Sequence, residues 1–362
     1  MKRALLIGID HYEKNPLQGC IKDAIELAEV LSENKDKSPN YDCHVLVSRE
    51  KNEKDLCPKC PAKADNTLPP HSTKQYVDDK SPLAQNDIKP AQVTVAQVQK
   101  ELDLILRAEA DEVIFYFSGH GSLKNSDGYL VTQDTEKFDP GFPISRLIRQ
   151  INNATHINEI TVILDCCHSG VSGSLSDFGK DHTILRRGVS ILAASQANGY
   201  ARMNNNRSVF TNILIDGLKG AAADLLGNVS VHDIYGYADK VLGPWDQRPL
   251  LISHVSRIRP LRNAKSRLTS VMIRKICEYF PEEKFKYELK DFYIEKKQGG
   301  KKVKKKNPDK KGDFKTLNKF FHAGLIKPIK SKTLKGAARN SKYCKLSSTG
   351  KAYWRMVTKD KI

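Results

Sequence analysis

Two apolar stretches end abruptly in reactive residues, and that pairing limits the fold more than any other feature of the chain. Ile160-Thr161-Val162-Ile163-Leu164 runs into Asp165-Cys166-Cys167-His168-Ser169-Gly170, and Val113-Ile114-Phe115-Tyr116-Phe117 runs into Ser118-Gly119-His120-Gly121. A short β-branched apolar run bounded by turn residues reads as a buried strand. No core needs the polar cluster that follows each run. In open α/β sheets, ligands and chemistry collect just beyond the carboxyl ends of the strands. A thiol and an imidazole on neighbouring strand ends suffice for nucleophilic catalysis.

The flanking sequence supplies the rest of such a sheet. Ala4–Ile9 is a third buried strand, with Asp10-His11-Tyr12 at its carboxyl end. Ile21, Ile25, Ala28 and Leu31 then recur at helical spacing, and Val45-Leu46-Val47 follows as a strand. Strand–helix–strand is the unit of a doubly wound sheet, so the fold class is α/β with a mostly parallel sheet flanked by helices. Further helices are predicted over 93–106, 143–151, 208–218 and 230–242, the last opened by Ser230 as N-cap with Asp233 in its first turn. Further strands are predicted at Tyr129-Leu130-Val131 and over 189–195. Residues 49–92 break the rhythm with Lys, Asp, Asn and Pro and read as one long insertion loop. Residues 172–181, rich in Gly and Ser, read as a flexible segment.

The two strand ends carry a resemblance. Tyr-Phe-Ser-Gly-His-Gly followed by Asp-Cys-Cys-His-Ser-Gly resembles the caspase-like cysteine peptidases, most closely the metacaspase-type branch with its D-x-C-H-S-G signature. The resemblance implies that Cys167 is the nucleophile and His120 the general base and acid. It puts the oxyanion donors on the backbone N–H groups of Gly121 and Cys167. Asp23 and Asp165 match positions that line the acidic primary pocket of metacaspase-like enzymes, with Cys20 and Ser118 beside them. Two carboxylates attract a cation, and a guanidinium can bond a carboxylate bidentately. Cleavage after Arg, and secondarily Lys, is therefore expected of a polypeptide substrate. Leu185-Arg186-Arg187-Gly188 lies where caspase-like chains are often nicked, so Arg186 and Arg187 are expected autoprocessing positions. Metacaspases often bind calcium through clustered acids. After Gly121 this chain has a single acid, Asp127, before Asp134, which speaks against calcium dependence. No cofactor is expected to be required for catalysis. Cys57-Pro58-Lys59-Cys60 is a C-x-x-C pair of the kind zinc sites use. Only Cys43, His44 and His71 are near it in sequence, so a surface loop with two thiols is the plainer reading.

Charge divides the chain. The net charge is +18, yet residues 261–362 hold 30 Lys and Arg against 9 Asp and Glu, which leaves the first 260 residues slightly acidic. A domain boundary near 260 follows, with a caspase-like domain over 1–260 and a basic domain over 261–362. The asymmetry points to an acidic partner for the latter. In that basic part, helices are predicted over 268–280, 282–296 and 314–323, a solvated lysine run over 296–311, a strand over 343–347 and a helix over 350–357. This order resembles a winged helix, which implies nucleic acid or a protein as a partner of residues 261–362. A different class of function stays open: a nucleic-acid-binding regulator that uses the caspase-like domain as a sensor or scaffold. No run approaches the length of a membrane span, and the first residues turn polar too soon for a secretory signal. With eight irregularly placed cysteines, a reducing cytoplasm and no membrane contact are expected.

Overall fold

The computed structural model describes residues 1–48, 88–107, 109–125, 127–136, 139–166, 185–194, 208–243, 248–298 and 301–362. The chain forms two compact units. One comprises Met1–Asp224 and Asn228–Lys265, the other Leu225–Gly227 and Ser266–Ile362.

The first unit is built on β1 (Lys2–Gly8), α1 (Cys20–Ser32), β2 (Asp42–Ser48), β3 (Ile88–Ala91), α2 (Val95–Arg107) and β4 (Glu112–Gly119). A small antiparallel sheet of β5 (Gly121–Lys124), β6 (Asp127–Leu130) and β7 (Phe142–Pro143) follows, then α3 (Ile144–Asn153), β8 (Glu159–Cys166) and β9 (Val189–Ala193). The unit closes with α4 (Val209–Asp216), which runs into a wider turn over Gly217–Ala221. After it come β10 (Asn228–Val229), α5 (Val231–Val241), β11 (Leu250–His254) and β12 (Arg262–Asn263). Seven strands form the main sheet in the order β11-β9-β8-β4-β1-β2-β3. All its pairs are parallel except β11 with β9.

The apolar runs are unbroken because both faces of this sheet are covered. Leu5, Ile7, Phe115, Phe117, Val162 and Leu164 pack on the α2 and α3 side. Leu6, Ile114, Tyr116 and Ile163 pack on the side of α1, α4 and α5. Every residue of β4 is buried. Such continuous runs are what a parallel sheet sealed on both sides requires. Ser230 caps α5 in a reciprocal box with Asp233, as the sequence predicts.

One expectation fails here. Residues 49–92 are not all insertion, because Ile88–Ala91 pairs with β2 as the edge strand β3. It is four residues long and contains Pro90, which cannot donate to a ladder and belongs on an edge. That composition hides the strand from a periodicity reading.

The second unit is α+β. It contains α6 (Ser270–Arg274), α7 (Ile276–Tyr279), β13 (Lys286–Glu288), β14 (Tyr293–Gln298), β15 (Lys301–Lys306), α8 (Lys311–His322), β16 (Ile326–Pro328), α9 (Leu334–Arg339), β17 (Tyr343–Leu346) and α10 (Ser348–Thr358). β13, β17 and β16 make an antiparallel sheet whose inner face joins Phe280, Leu317, Phe320 and Leu334 in a core of its own. Two expectations fail in this unit. Residues 282–296 are not a helix: β13, a short 3-10 turn over Lys290–Phe292 and β14 replace it. The Glu and Lys content favours helix locally, but pairing of Lys286–Glu288 with β17 decides the state. The lysine run over 296–311 is not merely a solvated linker, since Lys301–Lys306 pairs with β14 as a hairpin. The sequence between the paired ends is Gly299-Gly300, a dipeptide that in a sequence signals a hairpin.

Candidate active site

The strand register brings the two motifs to one place. Ser118 of β4 pairs with Asp165 of β8, and Gly119 pairs with Cys166. His120 is the residue after the β4 tip. Cys167 is the residue after the neighbouring β8 tip and lies outside the described residues, as do His168, Ser169 and Gly170.

His120 is held by three groups that are remote in sequence. Its Nε2 lies 2.7 Å from the carbonyl oxygen of Asn15. A carbonyl can only accept, so Nε2 carries a proton, and in the neutral ring Nδ1 is the basic nitrogen. Asn15 itself sits at φ 55, a left-handed position that asparagine tolerates better than most residues. The main-chain N–H of His120 donates to the Tyr12 hydroxyl at 3.0 Å, and that hydroxyl donates to the carbonyl of Val131 at 3.1 Å. Val131 N–H in turn donates to His120 O at 3.0 Å. The Tyr12 hydroxyl therefore stands in for one direct bond of the ladder that continues into β5 and β6. The Tyr12 and His120 rings lie 4.7 Å apart, tilted by 53°. Burial pushes the Tyr12 phenol well up, so its proton stays in the bridge. Gly119 is required under this arrangement, since a Cβ there would stand 2.5 Å from the Tyr12 oxygen.

Gly121 opens β5 opposite Leu130. The bond from Val131 N–H to His120 O makes the preceding pair the bonded one. By alternation, Gly121 faces Leu130 as a non-hydrogen-bonded pair, and its N–H points away from β6. That leaves a main-chain donor one residue from His120, directed out of the small sheet.

Asp23, Asp165, Cys20 and Ser118 are all buried beside these tips. Thr211 Oγ1 donates to Asp165 Oδ2 at 2.6 Å and accepts from Tyr116 Oη at 2.7 Å. Ser208 N–H donates to Asp23 Oδ2 at 3.1 Å. The start of α4 therefore supplies donors to both carboxylates. Burial raises the Asp165 pKa, and hydrogen bonds from Ser208 and Thr211 oppose the rise. Asp10, just past β1, accepts from the N–H groups of Gly19, Cys20 and Ile21, at 3.2, 2.8 and 3.4 Å, and so satisfies the start of α1. Burial, then the charge of Asp10, drives the Cys20 thiol far up. Cys20 stays protonated at neutral pH and is no nucleophile.

Sequence reasoning left Asn15, Tyr116, Ser208 and Thr211 without a site role. Tyr12 and Asp10 were legible only as polar residues at a strand end. None belongs to a local motif; each is recruited by tertiary contact.

Arg186 and Arg187 lie elsewhere. They precede β9, whose first residue pairs with Ile160 near the start of β8. At about 3.3 Å per residue this is roughly 25 Å from the carboxyl tips. The Arg186 guanidinium bonds the carbonyls of Ile151, Arg187 and Ile157 at 3.0, 2.8 and 2.9 Å, whereas Arg187 is exposed. Cys57, Cys60 and His71 lie outside the described residues. Cys43 is in the core with its thiol toward the carbonyls of Tyr41 and Ala28, and His44 faces Asp42 and Glu101. Among the described residues, no three His, Cys, Asp or Glu side chains gather as a metal site. No helix among them is long and apolar enough to cross a membrane.

The caspase-domain family model matches residues 1–257, the span that carries both strand tips. The chain belongs to the caspase-domain family. It is accordingly a cysteine peptidase, and its substrates are polypeptides. Among solved structures, this caspase-domain protein is similar to a structural-genomics protein of Geobacter sulfurreducens, at 14% identity, over 73% of this chain and 99% of that one, with TM-score 0.45. It is also similar to caspase-1 of Spodoptera frugiperda, at 13% identity, over 74% of this chain and 92% of that one, with TM-score 0.44. None of the curated proteins compared with it matches.

Proposed function

We propose that this caspase-domain protein is a metacaspase-type endopeptidase that cleaves after Arg, and more slowly after Lys. Cys167 is the nucleophile and His120 its base. The observation that supports the reading is the register of Gly119 against Cys166 on neighbouring strands, since His120 and Cys167 follow those two residues in the sequence. The Cys167 thiol gives its proton to His120 Nδ1, and the sulfur attacks the scissile carbonyl. The oxyanion is met by the N–H groups of Gly121 and Cys167. His120 then protonates the departing amine, and a water deprotonated by His120 cleaves the thioester and restores the thiol. Asn15 holds the imidazole by its Nε2–H, which leaves Nδ1 as the nitrogen that acts as base.

Asp165 and Asp23 form the acidic end of the primary pocket, with Cys20 and Ser118 in its wall. A buried pair of carboxylates favours a substrate that brings a cation of its own. The chemistry needs no metal, so EDTA leaves the rate unchanged. Autoprocessing next to Arg186 or Arg187 fits the same specificity. The distance of that segment from the strand tips means one molecule would cut another, at a rate that rises with enzyme concentration. We assign the basic second unit, winged-helix-like in its expected role, to nucleic-acid contact that tethers or regulates the peptidase.

Fluorogenic peptides ending in Arg, Lys or Asp, given to wild type, His120→Ala and Cys167→Ala, test this. Wild type should cut the Arg peptide fastest, and each variant should lose about a hundredfold to ten-thousandfold of kcat/KM. Faster cutting of the Asp peptide would overturn the specificity. An unaffected Cys167→Ala would overturn the mechanism.

A further inference from the structure

The open face of the three-stranded sheet in the second unit carries a row of like charges. β13 and β16 both pair with β17, and one transverse line of the sheet runs Lys286, Lys345, Lys327. All three side chains are exposed. Neighbouring strands are about 4.8 Å apart, and like charges directly opposite each other across a sheet are destabilising. Among the described residues none of the three makes an ion pair. The acid on the same face, Glu288, is engaged by Lys290 at 3.1 Å. Beside the row stands Tyr343, 42% exposed, its hydroxyl 3.4 Å from Glu288. The alternate residues Cys344, Leu346 and Ile326 point into the core, so register fixes the lysines and Tyr343 outward.

A sheet that keeps three unneutralised cations in a line is arranged for an anion extended along that line. Apolar side chains that would enter a bilayer are missing from the named positions of this face. An exposed aromatic beside cations on an open sheet is the chemistry that receives single strands, phosphates on the cations and a base on the ring. We infer that the β13-β17-β16 face binds single-stranded nucleic acid, with Lys286, Lys345 and Lys327 on consecutive phosphates and Tyr343 under a base. The inference rests on the reading of the second unit as a nucleic-acid contact and names the surface and the strand state.

Fluorescence anisotropy of the full chain with a labelled 20-nucleotide single strand and its duplex, between 50 and 200 mM salt, decides it. The variants are Lys286→Gln/Lys327→Gln/Lys345→Gln, Tyr343→Ala, and a control triple of other exposed lysines, Lys311→Gln/Lys315→Gln/Lys359→Gln. Melting temperatures establish that each is folded. The row variant should bind the single strand at least tenfold more weakly. Its slope of log K against log salt should be shallower by about 2, three contacts at roughly 0.7 each. Tyr343→Ala should lose fivefold or more, and the control triple should stay within twofold at low salt. Wild-type binding combined with a row variant that keeps its affinity and slope overturns this surface while leaving the nucleic-acid reading intact. Equal loss in the control triple, or tighter binding of the duplex, also overturns it. A wild type that binds neither probe at 50 mM salt overturns the nucleic-acid reading itself.

Discussion

The seven-stranded sheet of the first unit and the three-stranded sheet of the second put their polar chemistry in different places, and the difference follows from how each is covered. In the first unit β4 is buried along its whole length. In the second, β17 alternates exposed and buried residues. A parallel sheet sealed on both faces has no surface to offer except its ends, so His120, Asp165 and Ser118 collect at carboxyl tips. An antiparallel sheet sealed on one face leaves the other open, and there Lys286, Lys345, Lys327 and Tyr343 stand outward. Coverage of the sheet thus dictates whether a functional residue is found at a strand's end or along its side.

The contrast breaks hardest with a charge placed mid-strand. Ile163→Lys buries an unpaired ammonium in the sealed sheet and should abolish soluble folded protein, read by expression and circular dichroism. An ordinary melt for this variant would show that the sheet is not sealed.

Next in size is Asp165→Asn, which should lower kcat/KM for an Arg peptide by about a hundredfold, the effect of removing one partner of a buried charge pair. The pH dependence sharpens this. Burial holds the Asp165 carboxyl above its ordinary value of 3.8. The folded protein therefore binds that proton more tightly than the unfolded chain does. Its stabilising effect is greatest below 3.8 and declines as pH rises through the folded pKa. The same ionisation creates the charge that an arginine seeks. KM for the Arg peptide should fall as pH climbs from 3.8 through that window in wild type, and fall less steeply in Asp165→Asn, where Asp23 is the remaining acid of the pocket.

A smaller loss is expected from Tyr12→Phe, which deletes the hydroxyl between His120 N–H and Val131 O. Tyr12 is a positioning residue: kcat should fall about tenfold, with KM within twofold. The pH profile of Cys167 alkylation should move upward as the imidazole loses its alignment. A proportional loss in melting temperature with an unmoved alkylation profile would reduce Tyr12 to a packing residue. The smallest effect belongs to the open sheet. Lys345→Thr removes the central member of the lysine row and should stabilise the second unit by about 0.5 kcal/mol, seen as a small rise in denaturation midpoint.

Much of the first unit was legible because its strands are apolar runs with reactive ends, and such runs need no context to be recognised. The edge strand Ile88–Ala91 was not, since four residues with a proline carry no period. In the second unit, residues 282–296 read locally as helix; a strand partner far along the chain overrode that preference at Lys286–Glu288, and a local hairpin overrode it at 293–296. The candidate site divides the same way. His120, Gly121 and the acids at 23 and 165 sit in or beside short motifs, whereas Asn15, Tyr12, Thr211 and Ser208 reach the site from separate loops and from the start of α4.

By itself the sequence determined which residues bear reactive groups, that a parallel sheet carries them to strand ends, and that one-third of the chain holds the excess charge. These are matters of residue type and spacing, which the chain states outright. Only the tertiary structure decided that Gly119 and Cys166 pair on neighbouring strands, which nitrogen of His120 bears the proton, and that three lysines from distant segments form one line. Strand order and register are set by which apolar faces pack together, a choice made among all strands at once and written in no single stretch of sequence.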